Sequence, residues 1–162
     1  MIVIVMGTAG SGKTTIGRLL AAQLGWQFAD ADDFHSPANV AKMSHGIPLD
    51  DADRAPWLDA LRAAIVGWIG EDQNAVLACS ALKAGYREYL RVSPEVRYVY
   101  LKGSYETIAK RMHARKKHYA PEQLLASQFA TLEEPGDDAI RVDIEPPPET
   151  IVAEVRERLG LV

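Results

Sequence analysis

An α/β fold built on a parallel sheet with helices on its faces is what this sequence predicts, and three observations predict it. Short runs rich in Val, Ile, Leu or Tyr alternate with amphipathic helical stretches along the whole chain, with no internal repeat and no low-complexity tract. The runs are apolar on consecutive positions rather than alternate ones, as strands buried on both faces require. At 162 residues, 48% of them hydrophobic and 25% charged, the chain can bury one substantial core, so residues 1–162 are expected to form a single domain.

The first strand is expected over Ile2 to Met6, followed by a glycine-rich turn and a helix over Lys13 to Leu24, whose Ile16, Leu19, Leu20 and Leu24 fall on one stripe. Gln27 to Ala29 is a weaker strand. Trp57, Leu61, Ile65 and Trp68 repeat the helical spacing, which makes Trp57 a core residue before it is a platform for a ligand. Further strands are expected over Ala75 to Cys79, Arg97 to Leu101 and Ala139 to Ile144. A closing helix follows Pro147 and Pro148, with Ile151, Val155 and Leu159 at four-residue steps. His113 to Pro121 is basic, mostly polar and aperiodic, and reads as a mobile loop between two helices, part of a lid spanning about residues 113–127.

Composition excludes several classes. A formal charge of −4 without a basic cluster argues against a nucleic-acid partner. The single cysteine, Cys79, leaves neither an intramolecular disulfide nor a thiolate pair for zinc, which fits a reducing, cytoplasmic setting. It is most simply a packing residue. Met1 to Met6 has the length of a strand and lacks the features of a targeting leader, and no later run reaches the length of a membrane span.

Chemistry enters at Gly7-Thr8-Ala9-Gly10-Ser11-Gly12-Lys13-Thr14, a phosphate-loop pattern lying between a buried strand and an amphipathic helix, which points to the P-loop NTPase fold. The glycines let backbone N–H groups turn inward toward phosphate oxygens, and the helix N-terminus adds partial positive charge. Lys13 is expected to reach the β- and γ-phosphates of ATP and the Thr14 hydroxyl to ligate Mg²⁺, with Thr15 completing the nucleotide-binding run. A GTP switch would carry Asp-x-x-Gly and Asn-Lys-x-Asp segments, and neither occurs. After the second strand, Asp30-Ala31-Asp32-Asp33 sets two carboxylates on one side of an extended backbone. One can hold the hydrated metal while the other takes the proton of an attacking hydroxyl. The same residues could equally form a solvated loop or cap a helix.

With these segments in view the sequence resembles the gluconate kinase (gluconokinase) family, relatives of shikimate kinase, over nearly its full length. The resemblance rests on the phosphate loop; on Asp30-Ala31-Asp32, His35, Asn39, Lys42-Met43 and Gly46; and on Pro48-Leu49, Asp51, Asp53-Arg54 and Pro56-Trp57-Leu58. It continues through Ala78-Cys79-Ser80-Ala81-Leu82-Lys83, Tyr86-Arg87 and Leu90-Arg91, then Tyr100-Leu101-Lys102-Gly103, Arg111, Arg115, His118 and Leu124 to Glu133. Asp33, Ser36, Ala84-Gly85 and Lys117 depart from the family pattern without removing a residue assigned to chemistry.

The resemblance implies five parallel strands in the order 2-3-1-4-5, ATP-dependent formation of 6-phosphogluconate and a homodimer. Gluconate carries one carboxylate and a row of hydroxyls, so its pocket should offer fixed cations beside hydrogen-bonding groups. Arg54, Lys83 and Arg87 are the candidates, the last two sharing a helix face if the helix begins at Lys83. His35 either bonds a sugar hydroxyl or is structural. Asp32 is assigned to the attacking hydroxyl and Asp30 to the metal, roles that could be exchanged. Arg111 and Arg115 are expected to close over ATP and neutralise the transferred phosphoryl group, with His118 and Gln128 counted among the substrate-binding residues.

Overall fold

The computed structural model describes residues 1–114 and 122–161. Five parallel strands form one sheet in the order β2-β3-β1-β4-β5: β1 (Ile2–Met6), β2 (Gln27–Asp30), β3 (Ala75–Ala78), β4 (Val96–Lys102) and β5 (Ala139–Asp143). This is the order the resemblance implied. The central strand β1 is inaccessible along its whole length, which explains its unbroken apolar run.

Alternation along β1 divides the core in two. Val3 and Val5 point into a layer with Leu20 of α1 (Lys13–Leu24), Ile108 of α5 (Tyr105–Ala114) and Val152 of α7 (Pro148–Leu159). Ile2, Ile4 and Met6 face the opposite layer, where Trp57, Leu61 and Ile65 of α3 (Asp51–Gly70) meet Leu90 of α4 (Ala84–Leu90) and Tyr98. The helices are fixed at their starts by local chemistry: Asp50 and Asp53 form a reciprocal capping box on α3, and Ser36 caps α2 (Pro37–Ser44), whose first residue is a proline. Leu61 is fully buried at the centre of its layer. Leu61→Ala is expected to cost about 2–5 kcal/mol through lost burial and a residual cavity. Urea unfolding should show a lower midpoint with an unchanged slope.

Several boundaries differ from expectation. β3 stops at Ala78 and β5 at Asp143, each one residue early, although Cys79 N–H still donates to Val5 O and Ile144 N–H to Lys102 O. β4 is longer than its apolar run by a residue at each end. His113 continues α5 rather than opening a loop, and residues 122–127 of the expected lid begin α6 (Glu122–Thr131), with Leu124 and Leu125 buried. The intervening part of that lid lies outside the described residues. The carboxyl ends of β1, β2 and β3 share one edge, with Val5 and Asp30 both registered against Ala78, so the loops that follow them meet there.

Candidate active site

Between β1 and α1 the loop follows the path its glycines allow. Gly10 and Gly12 have φ of 77° and 100°, in the left-handed region that L side chains avoid. At Gly10 a Cβ would also stand 2.7 Å from Met112 Cγ. Ser11 N–H donates to Thr8 O at 3.2 Å and Lys13 Nζ donates to the same carbonyl at 2.9 Å. The hydroxyls of Thr8 and Ser11 are buried with no hydrogen-bond partner among the described residues. Unspent polar atoms in a glycine-shaped turn at a helix N-terminus suit a phosphate group. Loss of hydration pushes the Lys13 pKa down, against the opposing pull of the Asp32, Cys79 and Asp30 side chains.

Asp30 and Asp32 come to the same cavity as Lys13, by a different route from the one expected. The backbone leaves β2 at Asp30 and enters a short 3-10 turn over Ala31–Phe34, so Asp32 does not continue an extended strand. Asp30 Oδ1 accepts the Asp32 N–H at 2.9 Å and caps that turn, while Oδ2 accepts the Thr14 hydroxyl at 3.0 Å. Capping and metal-side placement are therefore compatible in one side chain. Thr14 and Asp30 offer an all-oxygen donor pair, suited to a hard cation that keeps most of its water. Asp32 presents accessible surface but stands in a concave wall; poor hydration there, reinforced by the Asp30 charge, raises its carboxyl pKa despite the nearby Lys13.

In the same cavity, Trp57 donates its indole N–H to Ala31 O at 2.7 Å and stacks on His35, with ring centroids 4.4 Å apart. Trp57 is thus a core residue, only 5% exposed, whose edge also borders the cavity. Partial burial, helped by the Arg54 charge, lowers the His35 pKa to about 4. The unfolded chain binds a proton on this imidazole near its ordinary value of 6.5, whereas the folded chain does not until about 4. Stability should consequently fall as pH drops from about 6.5 toward 4. Melting curves of wild type and His35→Asn across this range should diverge, the variant showing the shallower loss.

Of the three cations expected to receive the substrate, Arg54 borders the cavity, its guanidinium donating to Tyr86 Oη at 3.2 Å. Tyr86 in turn donates to Asp51, which also pairs with Lys83 at 2.7 Å. Lys83 is the N-cap of α4 rather than its first helical residue, so it does not stack one turn above Arg87 as expected. Arg87 is 3% exposed and spends its guanidinium on two carbonyls, Ala81 O at 2.7 Å and Glu133 O at 2.8 Å. Gln128 reaches the nucleotide side, its Oε1 accepting Ala9 N–H at 2.6 Å. Arg111 donates to Ile144 O at 2.9 Å, away from the cavity wall, while Arg115 and His118 lie outside the described residues. Ser80, Leu82 and Tyr86 line the cavity without having been singled out, although all three sit inside the stretch that carries the resemblance. Burial pushes the Cys79 thiol up to about 12, so this residue packs and does not react.

A cavity of about 290 Å³ thus brings together a phosphate loop, a carboxylate pair and an arginine. With the 2-3-1-4-5 sheet, this defines a P-loop kinase. The shikimate kinase family model matches residues 9–157. Gluconokinase from Gluconobacter oxydans is 46% identical over 155 residues, covering 94% of this chain and 87% of that protein. Thermosensitive gluconokinase from Escherichia coli is 47% identical, covering 87% of this chain and 78% of the relative. Among solved structures, a sugar kinase from Janibacter sp. HTCC2649 superposes with a TM-score of 0.92 at 42% identity, covering 99% of this chain and 95% of that one. The chain belongs to the gluconokinase family, within the wider shikimate kinase group. Among the described residues, no helix is long and apolar enough to cross a membrane.

Proposed function

We propose that this chain transfers the γ-phosphoryl group of ATP to the 6-hydroxyl of D-gluconate, giving 6-phospho-D-gluconate. The observation that carries the reading is that Lys13, Asp32 and Arg54 line one cavity, which brings a cation of the phosphate loop, a carboxylate and a second cation together. Residues Gly7 to Thr15 cradle the nucleotide phosphates, with Lys13 drawing charge from the transferred group. Asp32 orients the attacking hydroxyl and accepts its proton, a task its raised pKa favours. Thr14 and Asp30 would hold Mg²⁺, which supplies charge neutralisation for the phosphates when bound. Arg54 receives the acid's carboxylate, Lys83, paired with Asp51, adds a second positive charge behind it, and neutral His35 bonds a hydroxyl. Gln128 steadies the nucleotide loop, Arg111 and Arg115 serve the nucleotide side, and His118 belongs to the substrate side. We further propose a cytoplasmic homodimer, in keeping with the gluconokinase resemblance and the single, buried cysteine.

A panel of gluconate, other aldonates and shikimate, each with ATP and Mg²⁺, tests the substrate. Gluconate should give the highest kcat/KM. Preference for shikimate would move the chain to the alternative reading, a kinase of another small hydroxy acid. No transfer to any acid would leave a non-catalytic nucleotide-binding regulator.

A further inference from the structure

We infer that Arg87 is a positioning residue for the phosphoryl acceptor, holding the turn between β3 and α4 in the one conformation that shapes the acceptor wall of the cavity. The inference rests on the gluconate reading above.

Ala81 lies at the centre of that turn with φ of 46°, in the left-handed region that a residue with a Cβ rarely occupies. It is 1% exposed, so no water compensates for the unfavourable backbone. Its neighbours Ser80 and Leu82 line the cavity. The conformation is held by three successive carbonyls, each bound to a different part of the molecule. Ser80 O accepts Gly7 N–H of the phosphate loop at 3.4 Å, Ala81 O accepts Arg87 Nη1 at 2.7 Å, and Leu82 O accepts Glu133 N–H at 2.8 Å. Arg87 closes the set by donating Nη2 to Glu133 O at 2.8 Å, and the Glu133 carboxylate accepts Ala84 N–H at 2.9 Å.

A buried guanidinium is costly, and an apolar side chain would fill the same space more cheaply if packing were all that mattered. Here its donors are spent on the strained residue and on the segment that anchors the following one. Arg87 is itself held, because Tyr98 Oη donates to its carbonyl at 3.0 Å and ties α4 to β4. It acts on the acceptor through the turn, without lining the cavity.

The test separates support for the turn from direct contact and from general stability. Arg87→Lys retains charge but loses the two-pronged grip, and is expected to raise KM for gluconate about tenfold, with KM for ATP changed less than about twofold. Adding Ala81→Gly removes the penalty for the left-handed backbone and should recover at least about threefold of that loss. A ligand lost from the pocket itself could not be replaced by a glycine at position 81. Glu133→Ala, at an exposed side chain, cuts another tie to the same turn and should raise KM for gluconate in the same direction even if Arg87→Lys does not fold. The inference is overturned by an unchanged KM for gluconate in folded Arg87→Lys, or by no recovery in the double variant. If Arg87→Lys does not fold, an unchanged KM in Glu133→Ala overturns it. An active wild type with such variants would defeat this inference alone; a wild type inactive on gluconate would defeat the substrate reading, and this inference with it.

Discussion

Lys13→Ala is expected to reduce turnover by about 10³-fold or more while the melting temperature stays within a few degrees of wild type. The amine stands where the phosphate loop closes, donating to Thr8 O at 2.9 Å, and its charge is poorly hydrated. Its removal therefore costs the fold little, since burial already works against the charged form. What is lost is the cation that would follow negative charge onto the transferred group. Steady-state rates beside a thermal melt check both halves. Substantial activity in a folded Lys13→Ala protein would contradict the assigned role.

Asp32→Asn should lower turnover by about two to four orders of magnitude with nucleotide binding largely retained, because it keeps shape and removes the proton acceptor. The raised carboxyl pKa adds two signatures. In wild type the acid limb of kcat/KM should lie above the ordinary carboxylate range, since the base works only when ionised. A carboxyl whose folded pKa exceeds its unfolded one favours the folded state below the unfolded pKa and loses this advantage as pH rises through the folded pKa. Asp32→Asn should accordingly not lower the melting temperature at neutral pH. Asp30→Asn, which removes the negative charge beside the Thr14 hydroxyl, should instead raise the Mg²⁺ concentration needed for half-maximal rate. Rescue of Asp32→Asn by excess Mg²⁺, without rescue of Asp30→Asn, would exchange the two roles. Unaltered turnover in both would reduce the acidic segment to a solvated loop.

Features encoded by contiguous residues were the ones legible in the sequence. The strand, glycine loop and helix from Ile2 to Leu24 form the elements expected, because burial, left-handed turns and helical spacing are all local signals there. The acidic pair was found with the wrong backbone, since nothing in Asp-Ala-Asp announces that Asp30 caps its own chain into a 3-10 turn. Helix α2 left no apolar stripe to read, being eight residues long and mostly exposed. The partners of Arg87 could not be read from spacing. Its four-residue spacing from Lys83 suggested a shared face, but one of its carbonyl partners lies 46 positions away at Glu133, beyond any periodicity. The same limit hid the Arg54, Tyr86 and Asp51 chain, which links α3 to α4 across 32 and 35 positions.

The identity and position of the phosphorylated product test the central claim most directly. Purified protein, ATP, Mg²⁺ and D-gluconate are incubated to completion, and the product is read by phosphorus and proton NMR. The account predicts one new phosphate monoester for each ADP formed, coupled to the two protons of the C6 methylene. Phosphate on another hydroxyl, or ADP formation that is independent of gluconate, would contradict it.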